Sequence, residues 1–492
     1  VKSTLRKTVF KKHKSNMMEF QSYSLKELSN LFELQKETAL KWRQSSSSER
    51  ILRLEKIKNW ISLNQKWIKS AIYEDFKKPF PETDLSEIFP VTTEINHAIK
   101  NLNSWMKPKK VDSSLSMAGT KGKIFFEPKG TSLIISPWNY PFNLAIGPLI
   151  SALAAGCPVI LKPSELTPHT SDLIQQMIEE LFDKAEVAVI QGGVEITQQV
   201  LELPFDHIFF TGSPTVGKKI MEAASRNLSS VTLELGGKSP TIVHLTADLK
   251  DAAEKIVAGK FLNCGQTCVA PDYLLIHEEV KEHFLMEVKV AIKKMYDPDL
   301  KGLENSEDLA RIVNSNNFQR LHSLLDDAKA KGGKIEFGGN TNPDDLYIEP
   351  TILGDLNDSM RVLEEEIFGP ILPILTYNAL EEAISYINSK PKPLALYYFG
   401  KEDDSYQEVL QKTSSGNVML NDCVLHFLHP NLPFGGVNNS GIGKSHGYFG
   451  YLAFSNEKGV LKQRVGFNNS TLIKPPYDFK TKKIISTLIK WL

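Results

Sequence analysis

The stretch FLNCGQTCVAPDY, residues 261 to 273, places two of the chain's four cysteines, Cys264 and Cys268, four positions apart among small and polar neighbours. Three chemistries use cysteines at close range: a redox pair, half of a metal site, or one thiolate nucleophile with a bystander. A redox pair normally has two intervening residues, and a metal site needs further ligands. Cys157 and Cys423 are distant and no His-rich segment offers a second pair, so no metal site is expected. The nucleophile reading remains, with Cys268 favoured because it follows the flexible GQT and precedes Pro271. Taken singly, such a cysteine is more often a small buried residue.

Other chemistry-bearing residues stand at the ends of short apolar runs. Glu234 lies in VTLELGGKSP, where a carboxylate beside a thiol can serve as a general base for the thiol or for a water. Asn139 lies in ISPWNYPFN, and its amide can donate to an oxyanion. Lys162 and Glu165 lie in LKPSE, where a carboxylate can accept from a ribose hydroxyl and disfavours an added 2′-phosphate. In FFTGSPTVGKK, Gly212 and Gly217 bracket a helix start, where pyrophosphate can approach backbone N–H groups. That spacing is not the usual dinucleotide fingerprint, and an ordinary glycine-rich turn is the commoner meaning of the motif alone.

The elements that must carry these residues follow from hydrophobic periodicity. Residues 24 to 107 read as long amphipathic helices, with apolar positions three and four apart. From 122 onward the pattern changes to unalternated apolar runs at 131–136, 158–162, 186–191, 207–211 and 231–235, separated by four helical segments. Five such runs with intervening helices predict a doubly wound parallel sheet, which puts Asn139, Lys162, Glu165, Gly212 and Glu234 on one carboxyl edge. Cys, Glu and Asn at such an edge, beside a nucleotide site, suggest acyl chemistry coupled to hydride transfer. A second alternating region to about 436 predicts another α/β domain, and 121–128 and the segment after 455 suit an edge or inter-subunit sheet.

Composition narrows the partners. The 492 residues are 41% hydrophobic and 24% charged, ordinary for a globular enzyme, and Lys plus Arg equals Asp plus Glu at 58 each. No global field favours nucleic acid. Four cysteines cannot form a disulfide framework, which points to a reducing, cytoplasmic compartment. The tail, 471–492, ends in a short amphipathic pattern with Ile484, Ile485, Leu488, Ile489 and Leu492 on one face and lysines beside it. Such a helix can lie on a membrane surface or dock on protein. Residues 1–17 are basic and lack the apolar core of a secretory signal; a start at Met17 or Met18, with a translated stretch before it, is one reading of them.

SPWNYPFN, LKPSE, FTGS followed by VGK, LELGGKSP, GQTCVAPDY, EEIFGPILPI and LPFGGVNNSGIGKSHG occur in one order over about Glu19 to Gly466. In order and spacing they resemble aldehyde dehydrogenases, most closely the class 3 and fatty-aldehyde branch. The resemblance implies that Cys268 attacks an aldehyde carbonyl, that the Asn139 amide and the Cys268 N–H hold the oxyanion, and that Glu234 activates the water that hydrolyses the thioester. It implies that Lys162 and Glu165 hold the adenosine ribose, that Gly212, Ser213 and Gly217 form the pyrophosphate turn, and that Glu366 and Phe368 position the nicotinamide ribose and ring. NAD is the expected cofactor, with NADP open because class 3 relatives take either.

The same resemblance implies a nucleotide-binding domain at 18–107 and 129–236, a catalytic domain at 237–438, and a β bridging element at 108–128 and 439–470 that builds a homodimer. Tyr140, Ala258, Val424, Phe427 and Leu428 are expected along a substrate tunnel suited to medium or long aliphatic or aromatic aldehydes. Ala258 stands where class 3 relatives often have Trp, which implies a wider tunnel; Pro214 stands where Thr is common. Rival expectations are a CoA-acylating enzyme, against which Glu234 argues, and an inactive structural or binding relative, which would be expected to have lost Cys268.

Overall fold

The computed structural model describes residues 23 to 491 except 115, 116, 118 and 467. The basic leader discussed above lies outside the described residues, as does Leu492. Three helices open the fold: α1 (Leu25–Trp42), α2 (Ser47–Phe76) and α3 (Phe89–Trp105). Ser24 with Glu27, and Ser46 with Glu49, form capping boxes that satisfy the first N–H groups of α1 and α2. A π-helical turn at Asp84–Ile88 precedes α3 and turns Ser86 and Glu87 into the interior.

The chain then alternates as the apolar runs predict. Strands β1 (Lys109–Val111) and β2 (Lys121–Pro128) are followed by β3 (Ser132–Ile135), α4 (Asn143–Ala155), β4 (Val159–Lys162), α5 (Pro168–Leu181), β5 (Val187–Val189), α6 (Val194–Leu201), β6 (His207–Gly212), α7 (Pro214–Asn227) and β7 (Ser230–Leu235). β3 to β7 form a parallel sheet in the order β7-β6-β3-β4-β5. Val159, Ile160 and Leu161 of β4 are all buried, which is why the strands read as continuous apolar runs. Helices α2 to α5 cover one face and α1 with α6 and α7 the other.

A second sheet is built from β8 (Pro240–Val243), β9 (Tyr273–His277), β10 (Lys334–Phe337), β11 (Thr351–Gly354), β12 (Ile371–Tyr377), β13 (Ala395–Phe399) and β14 (Asn417–Leu420). Its order is β10-β11-β12-β9-β8-β13-β14, parallel except at the β10 edge. Helices α8 (Leu249–Phe261) and α9 (Lys281–Tyr296) pack on one face of it. After β14 the chain returns to the first sheet, where β15 (Gly441–Ile442) pairs antiparallel with β7 opposite Leu233 and Glu234. Finally β16 (Ser455–Lys462) pairs along its length with β2, and β1 completes a separate three-stranded antiparallel sheet. The tail forms a helix, α10 (Phe479–Trp491), whose Phe479 and Ile489 are 82% and 71% exposed. Among the described residues no helix is long and apolar enough to cross a membrane.

Candidate active site

Glu234 and Cys268 line the same cavity, which is walled by Pro90, Leu144, Phe427, Leu428, Phe434 and His446. Glu234 is the penultimate residue of β7 and is buried; Cys268 sits in the loop between α8 and β9 and is half-buried. Ser445 Oγ donates to Glu234 Oε1 at 2.8 Å, while Oε2 has no partner. Burial raises the Glu234 carboxyl to about 8, opposed by the Ser445 hydrogen bond and by Lys444. The Cys268 thiol is pushed up to about 12, first by burial and then by the carboxylates of Glu366 and Glu234, and its own N–H and that of Val269 act in the other direction. Burial thus favours the protonated thiol over the thiolate.

Asn139 lies in the loop between β3 and α4, and that loop is fastened to the cysteine loop at several points. Asn139 Nδ2 donates to the Gln266 carbonyl at 3.0 Å, and Tyr140 and Thr267 share a hydroxyl hydrogen bond of 2.6 Å. The Asn139 carbonyl accepts from Asn263 Nδ2 at 2.8 Å and from Lys78 Nζ at 3.4 Å. Lys78 is fully buried and ion-paired with Glu87 at 2.7 Å; Glu87 also accepts from the Asn143 N–H at 2.8 Å. Thus the π-helical turn before α3, the end of α2 and the start of α4 all bear on the position of Asn139. With one N–H held by Gln266, the amide keeps a second to donate.

The segment holding Cys268 is shaped by Gly265, at φ +73°. A Cβ there would stand 2.2 Å from the Gly369 carbonyl oxygen, so only glycine allows the loop to lie against EEIFGP. Glu366 is half-buried, with its carboxyl turned inward and raised to about 8, chiefly by desolvation. Its Oε1 has no partner in the protein. Phe368, at φ +49°, meets Trp138 edge to face at 5.3 Å. The loop is secured from below: Lys238 pairs with Asp272 and donates to the Val362 and Glu365 carbonyls at 2.9 and 2.7 Å, and Asp272 accepts from the Ile367 N–H at 2.9 Å.

At the carboxyl edge of the first sheet, Lys162 ends β4 and pairs with Glu165 at 2.8 Å. Gly212 ends β6, Ser213 caps α7 by accepting from the Val216 N–H at 3.3 Å, and Pro214 takes the first helical position, where no N–H is needed. An unpartnered buried carboxylate oxygen on Glu366, a capped helix start after a glycine and an acid at the end of β4 are the polar fittings a dinucleotide needs, so the residues present suit such a group.

Of the residues expected along the tunnel, Phe427 and Leu428 line the cavity. Tyr140 is buried beneath Lys78, whose Nζ lies 4.1 Å from its ring centroid, and Val424 is half-buried beside Cys268 in the core around β9 and β13. Neither borders the cavity. Ala258 is exposed on α8, on the same stripe as Asp251, and is not among the residues lining the cavity. Cys264 faces a different core from Cys268, packing among Ile312, Leu321 and Ile367. Ser445, His446, Lys238 and Asp272 received no role from the sequence. The first two lie in the quoted GIGKSHG, but nothing in a linear motif says that it returns to Glu234.

A profile described as the aldehyde dehydrogenase family matches residues 3–460, and the chain belongs to that family. It is 45% identical over 437 residues to the putative aldehyde dehydrogenase AldX of Bacillus subtilis, covering 89% of this chain and 98% of the relative. It is 40% identical to aldehyde dehydrogenase family 3 member B2 of Mus musculus, covering 89% and 90%. The solved substrate-bound state of Staphylococcus aureus AldH has a TM-score of 0.89 at 43% identity, covering 94% of this chain and 99% of that one. The chain is an NAD(P)-dependent aldehyde dehydrogenase, similar to class 3 enzymes, and it oxidises aldehydes with a nicotinamide cofactor.

Proposed function

We propose that Cys268, Glu234 and Asn139 carry this oxidation and that the substrates are medium or long aliphatic or aromatic aldehydes. The observation that carries the reading is the single cavity onto which Cys268 and Glu234 both open between apolar walls. The Cys268 sulfur, once deprotonated, adds to the carbonyl carbon, and the electron pair moves to oxygen. That oxyanion accepts from the free N–H of Asn139 and from the Cys268 backbone N–H. As the oxyanion collapses to C=O the carbon gives up its C–H hydrogen as hydride, which a nicotinamide held at the Glu366 and Phe368 end would accept, and a thioester remains on Cys268. Glu234 then takes a proton from water as the water adds to the thioester, the C–S bond breaks, and the carboxylic acid leaves. Glu234→Gln is expected to stop acid release while sparing thioester formation. Cys268→Ala is expected to abolish NADH formation and Cys264→Ser to preserve it; equal loss in both would return Cys264 to the chemistry.

For the cofactor, Lys162, Glu165, Gly212, Ser213 and Gly217 would hold the adenosine and phosphates, and Glu366 and Phe368 the nicotinamide end. The Glu165 carboxylate favours NAD over NADP, because a 2′-phosphate would meet it. Measured affinities for both cofactors in the native enzyme and in Glu165→Gln test this: the ratio should move toward NADP, and an unchanged ratio removes the role. Apolar walls at Phe427, Leu428 and Phe434 support larger substrates, so octanal should exceed acetaldehyde in kcat/KM by roughly tenfold or more. A preference for acetaldehyde would overturn the substrate class. Acid production in the absence of CoA separates this reading from the CoA-acylating one.

The domain limits given above, a homodimer built through the β1-β2-β16 sheet, a cytoplasmic location and a peripheral membrane contact through α10 belong to the same proposal. The dimer is supported by the separate antiparallel sheet, and the membrane contact by the lysine-flanked apolar residues left uncovered on the tail.

A further inference from the structure

Between β14 and the cavity the chain makes a turn that its sequence does not favour. Val424 has φ +65° and ψ −39°, and the Leu425 N–H donates to the Cys423 carbonyl at 2.6 Å, two residues back. This is a γ-turn with positive φ at its centre, a rare and strained conformation, and a β-branched residue is poorly suited to it. Such strain persists only where the surroundings impose it.

Three contacts impose it here. Asn421 exchanges hydrogen bonds with the Gly400 backbone through its side-chain amide, both at 2.9 Å. Cys423 enters a notch on α8 left by Gly259, where a Cβ would stand 2.7 Å from the Cys423 Cβ. Between them the Val424 N–H donates to the Tyr397 hydroxyl at 3.2 Å. Tyr397 ends in the interior of β13 and is fully buried. Its own O–H donates to the carbonyl of Val269, the residue after Cys268, at 2.5 Å. The hydroxyl therefore has one bond to each of two loops: the one that brings Phe427 and Leu428 to the cavity, and the one that carries the thiol.

We propose that Tyr397 is a positioning residue whose hydroxyl clamps the strained 421–428 loop to the Cys268 segment, so that the apolar wall and the sulfur are set in register with one another. The inference rests on Cys268 as the nucleophile. It follows that loss of the hydroxyl frees Val424 to leave the positive-φ turn, moves Phe427 and Leu428, and releases the peptide that follows Cys268. A residue acting only as core filling would do neither, because Phe fills the same space.

The test uses Tyr397→Phe in the full-length enzyme, with octanal and acetaldehyde as substrates and iodoacetamide as a probe of Cys268. The octanal to acetaldehyde ratio of kcat/KM should fall at least fivefold, mainly through KM for octanal, and the alkylation rate of Cys268 should change at least threefold. Adding Val424→Gly, which reaches the turn without strain, should recover part of both changes. Equal loss on both aldehydes with an unchanged alkylation rate, or no recovery in the double variant, overturns the clamp. Hydrogen exchange on the native enzyme gives a reading that requires no variant: a peptide spanning 423–428 should exchange slowly at Val424 and Leu425, and fast exchange there overturns the proposal. Failure of the nucleophile assignment would appear separately, as an active Cys268→Ala.

Discussion

Glu234 illustrates how burial and one hydrogen bond set a working range. Its carboxyl stands near 8, well above an ordinary glutamate, because the charged form is desolvated. In the proposed mechanism hydrolysis uses the carboxylate, so turnover limited by that step should rise as pH rises through about 8. Ser445 donates to the charged form, so Ser445→Ala removes a stabilisation of the carboxylate. The ascending limb of the pH–kcat profile should then move about one unit more alkaline, the size expected of one charge-assisted hydrogen bond. A limb that stays in place would mean that Ser445 does not act through Glu234. For folding the sign is the reverse: a raised carboxyl costs nothing below the unfolded value near 4.5, and its penalty accumulates as pH rises toward 8.

At the scale of elements, the site is an agreement between loops rather than a property of any strand. Gly265 lets the cysteine loop touch Gly369 of the EEIFGP loop, and backbone atoms cannot yield as a side-chain tip can. Gly265→Ala should therefore cost at least about 2 kcal/mol in denaturant unfolding, combining positive-φ strain with a backbone clash. It should also weaken cofactor binding, measured by fluorescence titration, because Glu366 and Phe368 belong to the displaced loop. The Lys238–Asp272 pair supports the same loop and is largely buried. Breaking it at one partner should be more damaging than removing any of the exposed pairs, such as Lys301–Asp299.

Across the whole molecule, the cavity lies between the carboxyl edge of the first sheet and loops attached to the second, and the sheet made of β1, β2 and β16 stands apart from both. β16 is exposed along most of its length, with Leu461 56% exposed. A chain that buries that surface against a second copy should sediment as a dimer, and Leu461→Asp should shift it toward the monomer. Removing residues 471–492 should leave acetaldehyde turnover near the native value while reducing sedimentation with anionic vesicles. Unchanged vesicle binding would take the membrane role from α10.

The sequence by itself determined the parallel sheet, because buried strands must be apolar on both faces, and it determined the aldehyde dehydrogenase family, because motifs such as GQTC and LELGGK recur there in one order and spacing. Phe427 and Leu428 line the cavity and Ala258 does not, because which face of α8 looks inward depends on where the helix packs. Only the tertiary structure decided that Ser445 reaches Glu234 across 211 positions, that Lys78 and Glu87 lie beneath Asn139, and that Tyr397 joins two loops. Those contacts link residues far apart in the chain through single hydrogen bonds. No periodicity or spacing encodes such a bond, since any serine, lysine or tyrosine reads alike until the fold gives it a neighbour.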